Sequence, residues 1–179
     1  TTIPLPADGK TETDIAKDSY VWYELKGEGI YTIATSDLTA DGNLTMWGVK
    51  NSENSFTQNP GDVTLGKSDV YTVVIKANTD KLGYKLTATK REVMDLTLAT
   101  PVSGELKTGE DLYVSFKAPE QGRYAVSLKG LADDVASTMT VTGGESQIKP
   151  SNNRYCSFVS NINDVVTFKI NVTSEASVK

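Results

Sequence analysis

Apolar and polar residues alternate along most of this chain with the two-residue period of half-buried β-strands, and no comparable stretch carries helical periodicity. The alternation predicts strands over Ser19–Leu25, Ile30–Thr35, Asn43–Val49, Asp62–Leu65, Asp69–Ala77 and Tyr84–Thr89. It resumes over Leu112–Ala118, Arg123–Leu128 and Asp164–Val172. Ile3-Pro-Leu-Pro reads as a short edge strand, because proline removes ladder donors. Ala7–Lys17 is polar and reads as a turn-rich connection, with Asp8-Gly9 its strongest turn signal. Lys50–Gly61 reads as a long polar loop carrying Phe56, and Leu131–Thr138 gives at most a turn.

The pattern is stated twice. Asp18–Ile33 lies without a gap on Asp111–Val126, ninety-three residues on: Asp18 on Asp111, Tyr20 on Tyr113, Tyr23 on Phe116, Gly29 on Gly122 and Ile33 on Val126. Each copy reads as a hairpin-like pair of strands about a short turn, Lys26-Gly-Glu-Gly29 in the first. Leu96-Thr-Leu98 falls on Ile3-Pro-Leu5 and Thr138-Met139 on Thr45-Met46 at the same offset, whereas Asp164–Val172 falls on Asp69–Ala77 after a further shift of two. Two runs of short strands separated by Gly, Asn and Asp turns predict an all-β protein of two tandem β-sandwich, jelly-roll-like domains, residues 1–91 and 92–179. Tandem immunoglobulin-like sandwiches are the competing fold. The counterpart of Tyr84–Thr89 would begin near Lys179, so the repeat predicts a closing strand that is missing from copy two or truncated. Truncation is the favoured alternative, since an unfilled sheet edge exposes unpaired backbone groups.

Composition narrows the chemistry. With 179 residues, 38% hydrophobic and 23% charged, the chain suits ordinary packed domains. A net charge of −5 without a basic stripe argues against nucleic acid and anionic surfaces. No apolar run is long enough for membrane insertion as a helix. The histidine count is zero, which removes Ser-His-Asp and Cys-His catalysis and histidine metal sites. Cys156 is the single cysteine, so no disulfide closes within the chain, and its setting in a strand-like run reads as a small buried residue. Glycoside chemistry with paired carboxylates remains a remote alternative, since no pair among 23 acids stands out.

Several short runs carry a family likeness. They are Pro101-Val-Ser-Gly-Glu-Leu106, Asp111-Leu-Tyr-Val-Ser-Phe116 and Gly122-Arg-Tyr-Ala-Val126, with Asp18-Ser-Tyr-Val-Trp-Tyr23, Gly29-Ile-Tyr-Thr-Ile33 and Asp41-Gly-Asn-Leu-Thr-Met46 in the first copy. The chain resembles the bacterial pre-peptidase C-terminal domains and the related collagen-binding domains of clostridial collagenases. That resemblance implies sandwiches appended to secreted proteins, without catalysis of their own. It also implies possible calcium near the N-terminal segment, which makes Asp8, Glu12 and Asp14 weak candidates.

Two sets of candidate site residues follow from the residues themselves. Asp37, Asp41 and Asn43 gather oxygen donors in one loop, as calcium requires, but the same run is an ordinary turn. Trp22 falls on Ser115 and Trp47 on Thr140, so both tryptophans occupy positions that copy two gives to polar side chains. They are expected to face outward, with Tyr20 and Tyr113 extending the surface, as aromatics that stack on sugar rings or anchor a protein. The alternative is that they cover a sheet face beneath the Lys50–Gly61 loop or fill the joint between copies. The sequence therefore predicts a non-catalytic accessory module of a secreted or cell-surface bacterial protein, a monomer or weak oligomer. Its expected partner is a polysaccharide or an extracellular protein; a structural spacer is the alternative.

Overall fold

The computed structural model describes residues 2–51, 55–103, 105–131, 135–142, 149–152 and 154–172. Every helix or strand among them is a strand, and the chain divides into two compact units, Thr1–Arg91 and Glu92–Lys179. The first unit holds β1 (Ile3–Pro4), β2 (Lys10–Ile15), β3 (Tyr20–Lys26), β4 (Gly29–Ser36), β5 (Leu44–Lys50), β6 (Thr57–Gln58), β7 (Asp62–Leu65), β8 (Val70–Ala77) and β9 (Leu82–Lys90). They form two sheets, in the orders β1-β3-β8-β5-β6 and β2-β9-β4-β7. The second unit holds β10 (Val93–Leu96), β11 (Asp111–Lys117), β12 (Gly122–Ser127), β13 (Ser137–Thr142), β14 (Lys149–Asn152), β15 (Tyr155–Ser160) and β16 (Val165–Val172). Its sheets run β10-β11-β16-β13 and β12-β15-β14.

Alternation sends one side of each sheet inward. In the first unit Tyr23, Val73 and Ile75 from one sheet and Ile33, Leu82, Tyr84 and Leu86 from the other form a single buried cluster. In the second, Phe116, Val166 and Phe168 meet Tyr124, Cys156 and Phe158 in the same way. Each unit is a sandwich because neither sheet can bury its apolar face alone.

The twice-stated stretch is not a hairpin. β3 ends with Lys26 opposite Val70 of β8, while β4 begins with Gly29 opposite Leu65 of β7, in the other sheet. Only two residues separate the strands, so the chain turns a corner from sheet to sheet. Gly27 and Gly29 adopt φ of 128° and 137°, which side-chain-bearing residues rarely reach. β11 and β12 likewise lie in different sheets. Alternation reports which side of a strand is wet, not which strand pairs with it, and both arrangements give the same pattern.

The expected connection Ala7–Lys17 contains β2, whose residues pair with β9, Glu12 lying opposite Tyr84. None of its side chains is fully buried. A polar edge strand has no apolar alternation to reveal it. The turn at Asp8-Gly9 is present, Gly9 donating its N–H to the Pro6 carbonyl at 3.0 Å. Inside the loop expected at Lys50–Gly61, Thr57–Gln58 adds the short β6 beside β5. The middle of Leu131–Thr138 and the position near Lys179 where a closing strand was expected lie outside the described residues.

The shift of two in the repeat has a structural counterpart. Met46 faces Ile75 and Met139 faces Ile170, so β16 lies two residues further along relative to β13. Against β11 it does not: Tyr20 faces Lys76 and Tyr113 faces Lys169, both ninety-three residues apart. A two-residue slip returns every side chain to the same face, so the core tolerates it.

Candidate functional site

Trp22 and Trp47 stand in one row across the outer face of the first unit's five-stranded sheet. Trp22 of β3 lies opposite Val74 of β8, and Trp47 of β5 lies opposite Val74 from the other side, with Gln58 of β6 beyond it. The two tryptophan backbones are therefore two strand spacings apart, roughly 10 Å. Trp22 is 41% exposed, Trp47 is half-buried, and Tyr20, two residues before Trp22 on the same face, is 55% exposed. Val74 is only 4% exposed although it is not part of the inner core cluster. It is the covered floor between the two indoles.

Next to that row sits Tyr20–Lys76–Thr45. Lys76 Nζ donates to Asp18 Oδ1 at 2.8 Å and lies 6.0 Å from the centre of the Tyr20 ring. The hydrogen bond and charge of Lys76 hold the Asp18 carboxyl below its ordinary range, and Asp18 raises Lys76 in return. The second unit repeats this arrangement: Lys169 Nζ lies 3.0 Å from Asp111 and 5.8 Å from the Tyr113 ring centre. It does not repeat the tryptophans. Ser115, Thr167 and Thr142 form the corresponding row. Shared features belong to the sheet's framework, so the indoles are what distinguishes the first unit.

Tyr113, expected to extend an exposed surface, is 3% exposed. Here β10 is four residues long and reaches Val93, opposite Tyr113, whereas β1 is a two-residue strand opposite Tyr23 and Glu24. The residue missed from sequence was Val74. Its signal was the run Val73-Val74-Ile75, because consecutive apolar residues in a strand mean that both faces are covered.

The loop carrying Asp37, Asp41 and Asn43 is built by local hydrogen bonds. Gly42 N–H donates to the Thr39 carbonyl at 2.7 Å, and Asn78 Nδ2 donates to Asn43 Oδ1 at 2.7 Å. Asp37 has a positive φ of 51°, common for a turn aspartate. The Asn43 amide oxygen thus spends one of its two lone pairs on Asn78. Among the described residues no group of three or more acidic, histidine or cysteine side chains is placed to hold a metal ion, Asp8, Glu12 and Asp14 included. Cys156 is fully buried, and burial raises its thiol above the ordinary value. Among the described residues no helix is long and apolar enough to cross a membrane.

Compared with known protein families and with curated proteins, the chain matches none.

Proposed function

We propose that this chain is a non-catalytic binding module of an exported or surface bacterial protein, taking a polysaccharide on the outer face of its first unit. The observation that supports this reading is the row Trp22–Val74–Trp47, two indoles either side of an apolar floor, present in one copy of the repeat and absent from the other. Their separation of roughly 10 Å is on the scale of a disaccharide, and aromatic faces stack on the apolar faces of sugar rings. The likeness to pre-peptidase C-terminal domains points the same way, towards an appended, extracellular, adhesion-like module. A protein partner anchored on the same aromatics is the competing occupant. A purely structural spacer is the second reading, favoured by the half-burial of Trp47.

Tryptophan emission tests it directly, because the chain has only two. Acrylamide quenching is measured with and without a panel of glycans and matrix proteins. Protection by a glycan, lost together with at least about tenfold of the affinity in Trp22→Ala, is the expected result. Protection by a matrix protein alone moves the assignment to a protein partner. Emission that no ligand protects leaves the spacer.

A further inference from the structure

Three rows of side chains cross the outer face of the first unit's five-stranded sheet, and they differ in polarity. The middle row is Trp22, Val74 and Trp47, with Gln58 at its end. Tyr20–Lys76–Thr45 borders it on one side and Glu24–Thr72–Val49 on the other, each two residues along the strands, or roughly 7 Å away. An apolar strip thus runs across the strands between two borders that are mainly polar. Val49, 6% exposed, is the one aliphatic side chain in either border.

The ions of these borders come in opposite pairs. Lys76 Nζ lies 2.8 Å from Asp18 Oδ1, and Lys26 Nζ lies 3.0 Å from Glu24 Oε1. The remaining strands of the sheet bring no charge to this face: β5 supplies Thr45, Trp47 and Val49, β6 supplies Gln58, and β1 supplies Pro4. Each border therefore holds one cation and one anion, and the face carries no net charge. Exposed pairs of this kind add little to stability, but they select among ligands. A charged ligand meets a like charge whichever border it lies against.

Taking this face as the glycan site proposed above, we infer that its ligand is an uncharged, linear polysaccharide whose pyranose rings are joined through equatorial bonds. Such a chain is a flat ribbon. Its ring faces are apolar C–H surfaces, its hydroxyls point out along both edges, and alternate rings turn the same face to one side. The ribbon lies across the strands with alternate rings on Trp22 and Trp47, which stand two strand spacings or roughly 10 Å apart. The ring between them covers Val74. Hydroxyls along the edges meet Thr45 on one border and Thr72 on the other, and Gln58 meets the chain beyond Trp47. A chain with an axial bond at each linkage coils, and so leaves one platform as it stacks on the other.

The test uses the full chain and hexasaccharides of defined linkage, with affinity read by calorimetry. Acrylamide quenching reads each indole separately in the Trp22→Phe and Trp47→Phe chains. Cellohexaose should protect both, with an affinity that changes less than about twofold between about 0.02 M and about 0.5 M salt. Cellobiose, too short to reach both indoles, and maltohexaose, with its axial bonds, should each bind at least about tenfold more weakly. So should the glucuronate hexamer of cellohexaose's own linkage, which differs in charge alone. Glu24→Gln removes the acid beside Lys26 and should raise the affinity for that glucuronate hexamer, a gain lost at about 0.5 M salt. Equal affinity for cellobiose, or a preference for maltohexaose or the glucuronate hexamer with the tryptophans protected, overturns this inference and leaves the glycan site standing. Protection by no glycan at all overturns both.

Discussion

Tyr23 and Tyr84 bring two hydroxyls to 2.6 Å inside the first unit, on rings that are 0% and 1% exposed. Burial pushes both above the ordinary tyrosine value of 10.0, Tyr84 to about 12, and the Glu12 carboxylate adds to the effect on each. An unfolded chain ionises these groups near pH 10 and the folded one does not. The stability they lend is therefore intact below about pH 10 and declines as the pH climbs towards about 12. Urea midpoints of the first unit should fall between about pH 9 and pH 11, and fall less in the Tyr23→Phe, Tyr84→Phe double variant. Near neutral pH, Tyr84→Phe alone should cost about 1–3 kcal/mol by stripping Tyr23 of this partner. The double variant should recover most of that loss, since both members of a buried pair can be replaced by apolar groups of like shape. In the second unit Phe116 stands at the position of Tyr23, so one member of the pair is already apolar there. A double variant no better than the single would mean that the pair is worth more than its desolvation.

The limits of sequence reading lie at the level of the element. Most strands were legible because Val, Ile, Leu and Tyr alternate with polar residues, and β7 was expected at its observed bounds, Asp62–Leu65. The outward side of Trp22 was legible from the polar Ser115 at the matching position of the second copy. Pairing was not, so a corner was read as a hairpin, and β2, polar except for Ile15, left no trace. Asn43 illustrates the same limit at the candidate cation loop: its oxygen accepts from Asn78, thirty-five residues away in sequence. Close approach is equally silent. A β-carbon on Gly48 of β5, next to Trp47, would fall on the hydroxyl of Tyr71. Tyr71 is 5% exposed and has no room to retreat. Gly48→Ala should destabilise the first unit by about 1–3 kcal/mol, the usual cost of overpacking. Gly61→Ala, with nothing within 4 Å of the new carbon and no positive φ, should stay within about 0.5 kcal/mol. Equal effects would mean that Tyr71 swings aside easily and that the sheet under Trp47 is loosely held.

At the scale of the whole chain, the two units differ in how fully they are closed. Among the described residues the first has sheets of five and four strands, and the second has sheets of four and three, with β12 bordering a cleft of about 590 Å³. Residues lining a cleft forfeit packing, so the second unit should be the less stable. The chain carries its own reporters for this. Both tryptophans lie in the first unit, and the single cysteine, Cys156, is fully buried in the second. Burial holds that thiol in its unreactive protonated form, so it should react only when the second unit opens. In a denaturant series, Cys156 labelling should therefore rise before tryptophan emission shifts, and the two transitions should not coincide. Coincident transitions would mean that the cleft costs the second unit nothing.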